Sequence, residues 1–195
     1  MQTALAFVAL LLPLTLSPGP VNIALAAAGM SGGFRPALPF YAGLFISAVA
    51  IAVAGGMGLN ELFLAQPVIY QVLRYAGIAY IVYLAVKLIR AKSNVSGSAG
   101  GAYRFHDGLL LTALNPKYYV VVTVVYSQFL KPGQNTLWIV MLGLSAIVAF
   151  SQGAWLVAGA SLRPLLKSER ALRIQSVTFG VLLLAVAAYM LIEDV

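Results

Sequence analysis

Long apolar runs, interrupted by short polar or basic stretches, set the pattern of this chain. Six runs stand out, at residues 3–30, 36–56, 68–89, 106–130, 136–160 and 172–192. Each is long enough for a helix to cross a bilayer core, which takes about 20 residues. None shows the short apolar–polar alternation of a barrel strand. Continuous apolar character suits a helix, whose backbone groups pair within the segment. The pattern predicts an all-α membrane protein with six transmembrane helices. Pro18-Gly19-Pro20 breaks the first run near its middle, and Pro116 in LNPKYY breaks the fourth. Proline inside a helix removes a donor and clashes with the preceding turn, at roughly 3 kcal/mol or more. Helices 1 and 4 are therefore predicted to be interrupted.

The two halves of the chain echo each other. Pro18 and Pro116 stand 98 residues apart, Gly43-Leu44 and Gly143-Leu144 stand 100 apart, and Leu73-Arg74 and Leu172-Arg173 stand 99 apart. The tripeptide Leu84 to Val86 returns 100 residues later at Leu184 to Val186. A near-constant offset predicts a duplicated three-helix unit. With three spans per unit, the second copy enters from the opposite side, giving two inverted three-helix repeats. The repeats are drawn at 1–92 and 105–195, joined by a polar linker at 93–104, all within one transmembrane domain, 1–195. Charge sets the orientation. Arg35, Lys87, Arg90, Lys92, Arg104, Arg163, Lys167, Arg170 and Arg173 fall on one side, against Arg74 and Lys131 on the other. The richer side is expected to be cytoplasmic. Both termini, with the acidic Glu193-Asp194, are then expected to be extracytoplasmic.

Composition narrows the classes further. The chain of 195 residues is 62% apolar and 9% charged, with mean hydropathy +0.94, leaving no room for a separate soluble domain. The net charge of +7 sits at the ends of apolar runs, which argues for membrane topology rather than nucleic acid. Zero cysteines exclude disulfides and thiolate metal sites, and one histidine makes a poor basis for zinc or haem. The first 20 residues lack a basic signal-peptide region and are read as a span. With no nucleophile elbow, phosphate loop or metal-ligand cluster, neither an enzyme nor a cofactor is expected.

The chemistry concentrates at the two breaks. Broken backbone in mid-membrane is tolerated only where it is buried in protein or lines a watery cavity. A half-helix that starts there presents free N–H groups and a positive dipole end, which favour an anion. Matching breaks in inverted halves point to a transporter's binding site; the plainer alternative is a pair of packing kinks. Lys117 is 11 positions from His106 and 13 from Leu130, too deep for its stem to reach the interface. It reads either as a contact for a substrate carboxylate or a gating charge, or as a tie to carbonyls freed by the prolines. Asn22 and Asn115 flank the breaks, as helix caps or as ligand contacts. Thr15 and Ser17 are expected to bond back to helix carbonyls. Ser151 and Gln152 are expected to reach a neighbouring helix in preference to a cavity. Gly43 with Ser47, and Ala50 with Ala54, have the spacing of close helix packing. Trp138 and tyrosines near span ends fit an interfacial belt. Asp107 beside His106 is expected to support a helix N-terminus, with proton transfer as the alternative.

SPGPVNIALAAAGMSGGFR (Ser17 to Arg35) and FHDGLLLTALNPK (Phe105 to Lys117) resemble the lysine exporter and homoserine/threonine exporter (LysE/RhtB) family. The resemblance covers essentially the whole chain and rests on the pairing of PGP with NPK. The first stretch further resembles the branch that exports cysteine and O-acetylserine. The resemblance implies efflux of an amino acid or small derivative across the bacterial inner membrane by proton antiport. It also implies substrate contacts at Pro18, Gly19, Pro20, Asn115, Pro116 and Lys117, to which position adds Asn22. Many members carry Asp or Asn directly after PGP; here Val21 stands there and Asn22 follows, leaving no mid-membrane carboxylate. The expected partners are a small amino-acid-like substrate and membrane lipid, not nucleic acid, with a homo-oligomer left open. A non-transporting scaffold or assembly factor is the alternative class, and a midplane lysine argues against it.

Overall fold

The computed structural model describes residues 2–59, 66–90, 103–130, 136–166 and 168–192. Within these residues the structure is helical and has no strand. α1 (Gln2–Leu16) and α2 (Pro20–Gly32) form one bent pair, at 64° across the Pro18-Gly19 break. α3 (Phe34–Ala54) follows directly and ends in a π-helical turn, Gly55–Leu59. α4 (Pro67–Arg90) is a single helix of 24 residues. α5 (Phe105–Ala113) and α6 (Pro116–Phe129) form the second bent pair, at 59°. α7 (Leu137–Leu162) runs into a 3-10 turn, Arg163–Leu165, before α8 (Glu169–Ile192). Four helices are long and apolar enough to cross a membrane, or up to six if each bent pair is one span. The prolines explain where the bends fall: each opens a new helix at its first position, where a missing N–H is no loss.

The most extensive pairings are α2 with α7, α3 with α5, and α4 with α8. Two of them rest on glycine. A methyl on Gly43 of α3 would lie 2.0 Å from the Phe105 carbonyl oxygen, and one on Gly108 of α5 would lie 2.3 Å from that of Phe40. Gly29 of α2 and Gly159 of α7 oppose each other likewise, at 2.5 Å from Leu156 O and 2.2 Å from Ala26 O. Backbones meet without intervening side chains, the way apolar helices gain contact when lipid supplies no hydrophobic drive. The expected packing role of Gly43 and buried Ser47 holds. Ala50 does not share it: it is exposed, and Ala48 and Ala52 are the buried alanines of that helix.

Two apolar clusters result. One gathers Ala24, Leu25, Ala28, Phe40, Leu44, Ile81, Leu84, Leu111 and Leu156; the other gathers Leu11, Ile51, Val122, Val125, Met141 and Leu144. Large apolar side chains such as Ile46, Val72, Ile139, Phe150 and Val181 are exposed, as the lipid-facing surface of a bundle requires. Trp138 is exposed at the start of α7.

Of the linker drawn at 93–104, only Tyr103 and Arg104 are among the described residues. Tyr103 is buried and packs its ring 5.0 Å from that of Phe40, while Arg104 is the N-cap of α5. Lys92, Lys131, Lys167, Glu193 and Asp194 lie outside the described residues. Asp107 meets its structural expectation: its carboxylate accepts from the Arg104 backbone N–H at 2.9 Å. It also accepts from Lys87 Nζ at 2.9 Å and from the Tyr80 hydroxyl at 3.2 Å, while the exposed His106 stands 3.6 Å away.

Candidate functional site

Five hydrogen bonds account for the end of α1. Ser17 N–H donates to Pro13 O, and Ser17 Oγ donates to Leu14 O at 2.8 Å. Asn22 Nδ2 donates to both Thr15 O, at 2.7 Å, and Ser17 O, at 2.9 Å. The indole N–H of Trp155 on α7 donates to Leu16 O at 3.1 Å. Carbonyls that a helix end leaves unpaired are thus all met by protein groups. Asn22 is revealed as the clasp of the bend, with both amide hydrogens engaged. Thr15 behaves as expected, donating to Leu11 O at 2.8 Å.

The helix starts differ. Asn115 accepts from the Lys117 backbone N–H at 3.2 Å, capping α6 with its own side chain. No side chain caps α2, whose first position is Pro20. Of the two half-helix N-termini, α2's is the open one.

Lys117 lies across the gap. Its Nζ donates to Ser17 Oγ at 2.6 Å and reaches Ser17 O at 3.5 Å. A methyl on Gly19 would lie 3.3 Å from that ammonium, so the glycine makes room for it. Among the described residues no carboxylate stands within ion-pair distance of Lys117. The cation is held by a hydroxyl and a carbonyl and keeps one donor to spare.

Two cavities meet at Lys117. One, of about 50 Å³, is lined by Gly19, Pro20 and Asn22 with Asn115, Lys117 and residues of α7. The other, of about 310 Å³, is lined by Pro18, Gly19, Pro20, Asn115, Pro116 and Lys117 together with Arg74. All seven residues singled out from the sequence line one cavity or the other.

One expectation is corrected, and one charge proves to be buried. Arg74, placed above on the sparser side, is buried in α4 and donates from Nε and Nη2 to Met190 O in the last turn of α8, at 3.2 and 2.6 Å. Ser151 and Gln152 do not reach a neighbouring helix. Both line the smaller cavity, and Ser151 Oγ and Gln152 Oε1 are buried without a hydrogen-bond partner. Thr112 and Tyr118, which the sequence did not bring forward, line it too, with unpartnered hydroxyls. Among the described residues no group of three or more His, Asp or Glu side chains gathers to hold a metal ion.

Helical bundle, paired breaks and a half-buried lysine between two cavities define a polytopic membrane protein with a small polar site at its helix breaks. The chain belongs to the LysE type translocator family, which matches residues 12–194. It is 28% identical over 141 residues to the homoserine/homoserine lactone efflux protein of Salmonella typhimurium, covering 69% of this chain and 68% of that one. It is also 28% identical over 150 residues to the cysteine/O-acetylserine efflux protein of Escherichia coli, covering 74% and 75%. Both relatives bear the names of efflux proteins, not of enzymes. No solved structure matches the chain.

Proposed function

We propose that this protein is a secondary exporter of a small zwitterionic amino acid or amino-acid derivative, working across the bacterial inner membrane by proton antiport. Family membership and the efflux relatives support the class. The observation that carries the site is Lys117: an ammonium between two cavities, beside the uncapped start of α2, with no carboxylate among the described residues within ion-pair distance. A small anion is what such a place favours, and a substrate α-carboxylate is the fitting one.

Each bent pair is read as one span, so that two inverted repeats of three spans face each other. Support comes from contacts that mirror each other. Gly43 of α3 meets the Phe105 backbone on α5, and Gly143 of α7 meets the Phe7 ring on α1, at 2.9 Å from a would-be methyl. Gly43 and Gly143 are 100 residues apart, and Phe7 and Phe105 are 98 apart. Leu14 and Thr112, Gly19 and Lys117, and Pro20 and Tyr118 are likewise 98 apart, and all six line the smaller cavity.

The basic side is taken as cytoplasmic and both termini as extracytoplasmic. α2 and α5 then occupy the cytoplasmic half, where glycines put backbone on backbone. α1 and α6 occupy the outer half, where Phe7 and Phe129 meet edge to face at 4.9 Å. The inner half is the sealed one in this state, and export requires it to open in turn. Asp107 lines neither cavity, so proton coupling runs through the substrate or Lys117 rather than through direct contact with that carboxylate. Efflux from liposomes of purified protein tests the proposal. An imposed pH gradient should drive a neutral amino acid outward against its own gradient. Movement that ignores the pH gradient would refute antiport, and no movement of any small amino acid would refute export.

A further inference from the structure

Four of the seven buried, unpartnered side-chain polar atoms among the described residues belong to one cavity: Thr112 Oγ1, Tyr118 OH, Ser151 Oγ and Gln152 Oε1. The four residues are all more than nine-tenths buried. Folded proteins pair the great majority of such atoms, because leaving one unpaired is costly. Nor does the fold demand polarity here. Residues 51 and 52 stand 100 positions before Ser151 and Gln152, and they are Ile51 and Ala52, both packed in an apolar cluster.

We infer that this wall of the cavity selects the substrate by its side chain, favouring a short one that ends in a hydroxyl or a comparable hydrogen-bonding group. The inference rests on the exporter reading, in which Lys117 and the start of α2 take the carboxylate. Gln152 Oε1 only accepts, which suits the substrate's ammonium. The hydroxyls of Thr112, Ser151 and Tyr118 both give and accept, which suits the head of the side chain. Size agrees. One water needs roughly 10–15 Å³ of such space, so about 50 Å³ holds a few waters or a side chain of comparable bulk. Leu14, Val21, Val121 and Val148 supply apolar parts of the same wall, and the small volume favours a short side chain over a bulky one. A site with buried groups waiting for a hydroxyl discriminates against the analogue that lacks one more sharply than it discriminates by size.

The test uses the purified protein in liposomes, with labelled L-homoserine and L-2-aminobutyrate, which differ by that hydroxyl. The wild type should prefer L-homoserine by about tenfold or more. Ser151→Ala and Thr112→Val should each narrow the ratio severalfold while still moving L-2-aminobutyrate, and Thr112→Ser should restore it. Both changes nearly preserve volume, and equal melting temperatures will show that the fold is kept. Gln152→Met provides a second route, weakening both amino acids alike. A wild-type ratio near one, or a ratio unmoved by these hydroxyl changes with transport otherwise normal, would overturn the selective wall and leave the exporter standing. A wild type that moves no small amino acid at all would overturn the exporter, and this inference with it.

Discussion

Replacing Gly159 with alanine adds a single methyl at the tightest point between α2 and α7. That methyl would sit 2.2 Å from Ala26 O and 2.8 Å from both Ala26 C and Cα, all of it backbone that cannot rotate aside. Ordinary contact begins near 3.4 Å, so the helices must part by about 1 Å. Overpacking of this kind typically costs about 1–3 kcal/mol, and a value near 2 kcal/mol is a factor of roughly 30 in the balance between sealed and parted states. Gly153 on the same helix is the control, because a methyl there would meet nothing within 4 Å. Gly153→Ala should be neutral or slightly stabilising, since alanine is the better helix former by about 1 kcal/mol. The chain has no cysteine, so a single Ala27→Cys, fully buried on α2 next to Ala26, gives a clean probe. Alkylation of that thiol should rise at least tenfold with Gly159→Ala and stay unchanged with Gly153→Ala. Equal reactivity in the two variants would refute the glycine seal.

Three other outcomes follow from the same structure. Asp107→Asn should lower thermal stability by about 3–5 kcal/mol, because it strips the partner from Lys87 and weakens the clasp on α5; pairing it with Lys87→Met should recover part of the loss. Asn22→Leu leaves Thr15 O without its donor, at about 1–3 kcal/mol, and should destabilise the fold more than loss of the Asn115 cap, which is worth about 1 kcal/mol. A C-terminal alkaline phosphatase fusion should be active and a fluorescent-protein fusion dark in cells; the reverse would contradict the extracytoplasmic termini.

Much of this was legible in the residues. Proline beside glycine or asparagine in mid-run marked both bends, at Pro18-Gly19-Pro20 and Asn115-Pro116, whereas Pro13 and Pro39 lie inside α1 and α3 without breaking them. Lys117 was legible because its stem is too short to escape from the depth it occupies. Partners were harder to read, since spacing gives the face of a helix and not what stands opposite. Asn22 and Asn115 look alike beside their prolines, yet one clasps the carbonyls of α1 and the other caps α6. Arg74 was placed from its position near the start of its apolar run, which gives no sign that the last turn of α8 buries it and offers Met190 O. The polar wall did carry a signal that went unused. Comparison at an offset of 100 sets Ser151-Gln152 against Ile51-Ala52, and on the proposed repeat, polarity kept in only one copy points to a demand other than folding.

The central claim is that the ammonium at the meeting of the two breaks binds the substrate's carboxylate. Lys117→Met keeps the bulk of the side chain and removes the charge. Losing a charge-assisted hydrogen bond costs about 1.5–3 kcal/mol, or roughly ten- to a hundredfold in affinity. Efflux and binding of L-homoserine by Lys117→Met, reconstituted at the amount of the wild type and with its melting temperature matched, is the direct measurement. The account predicts a fall of that size in affinity. Wild-type affinity and efflux would reduce Lys117 to a tie between Ser17 and α6 and would contradict the carboxylate site.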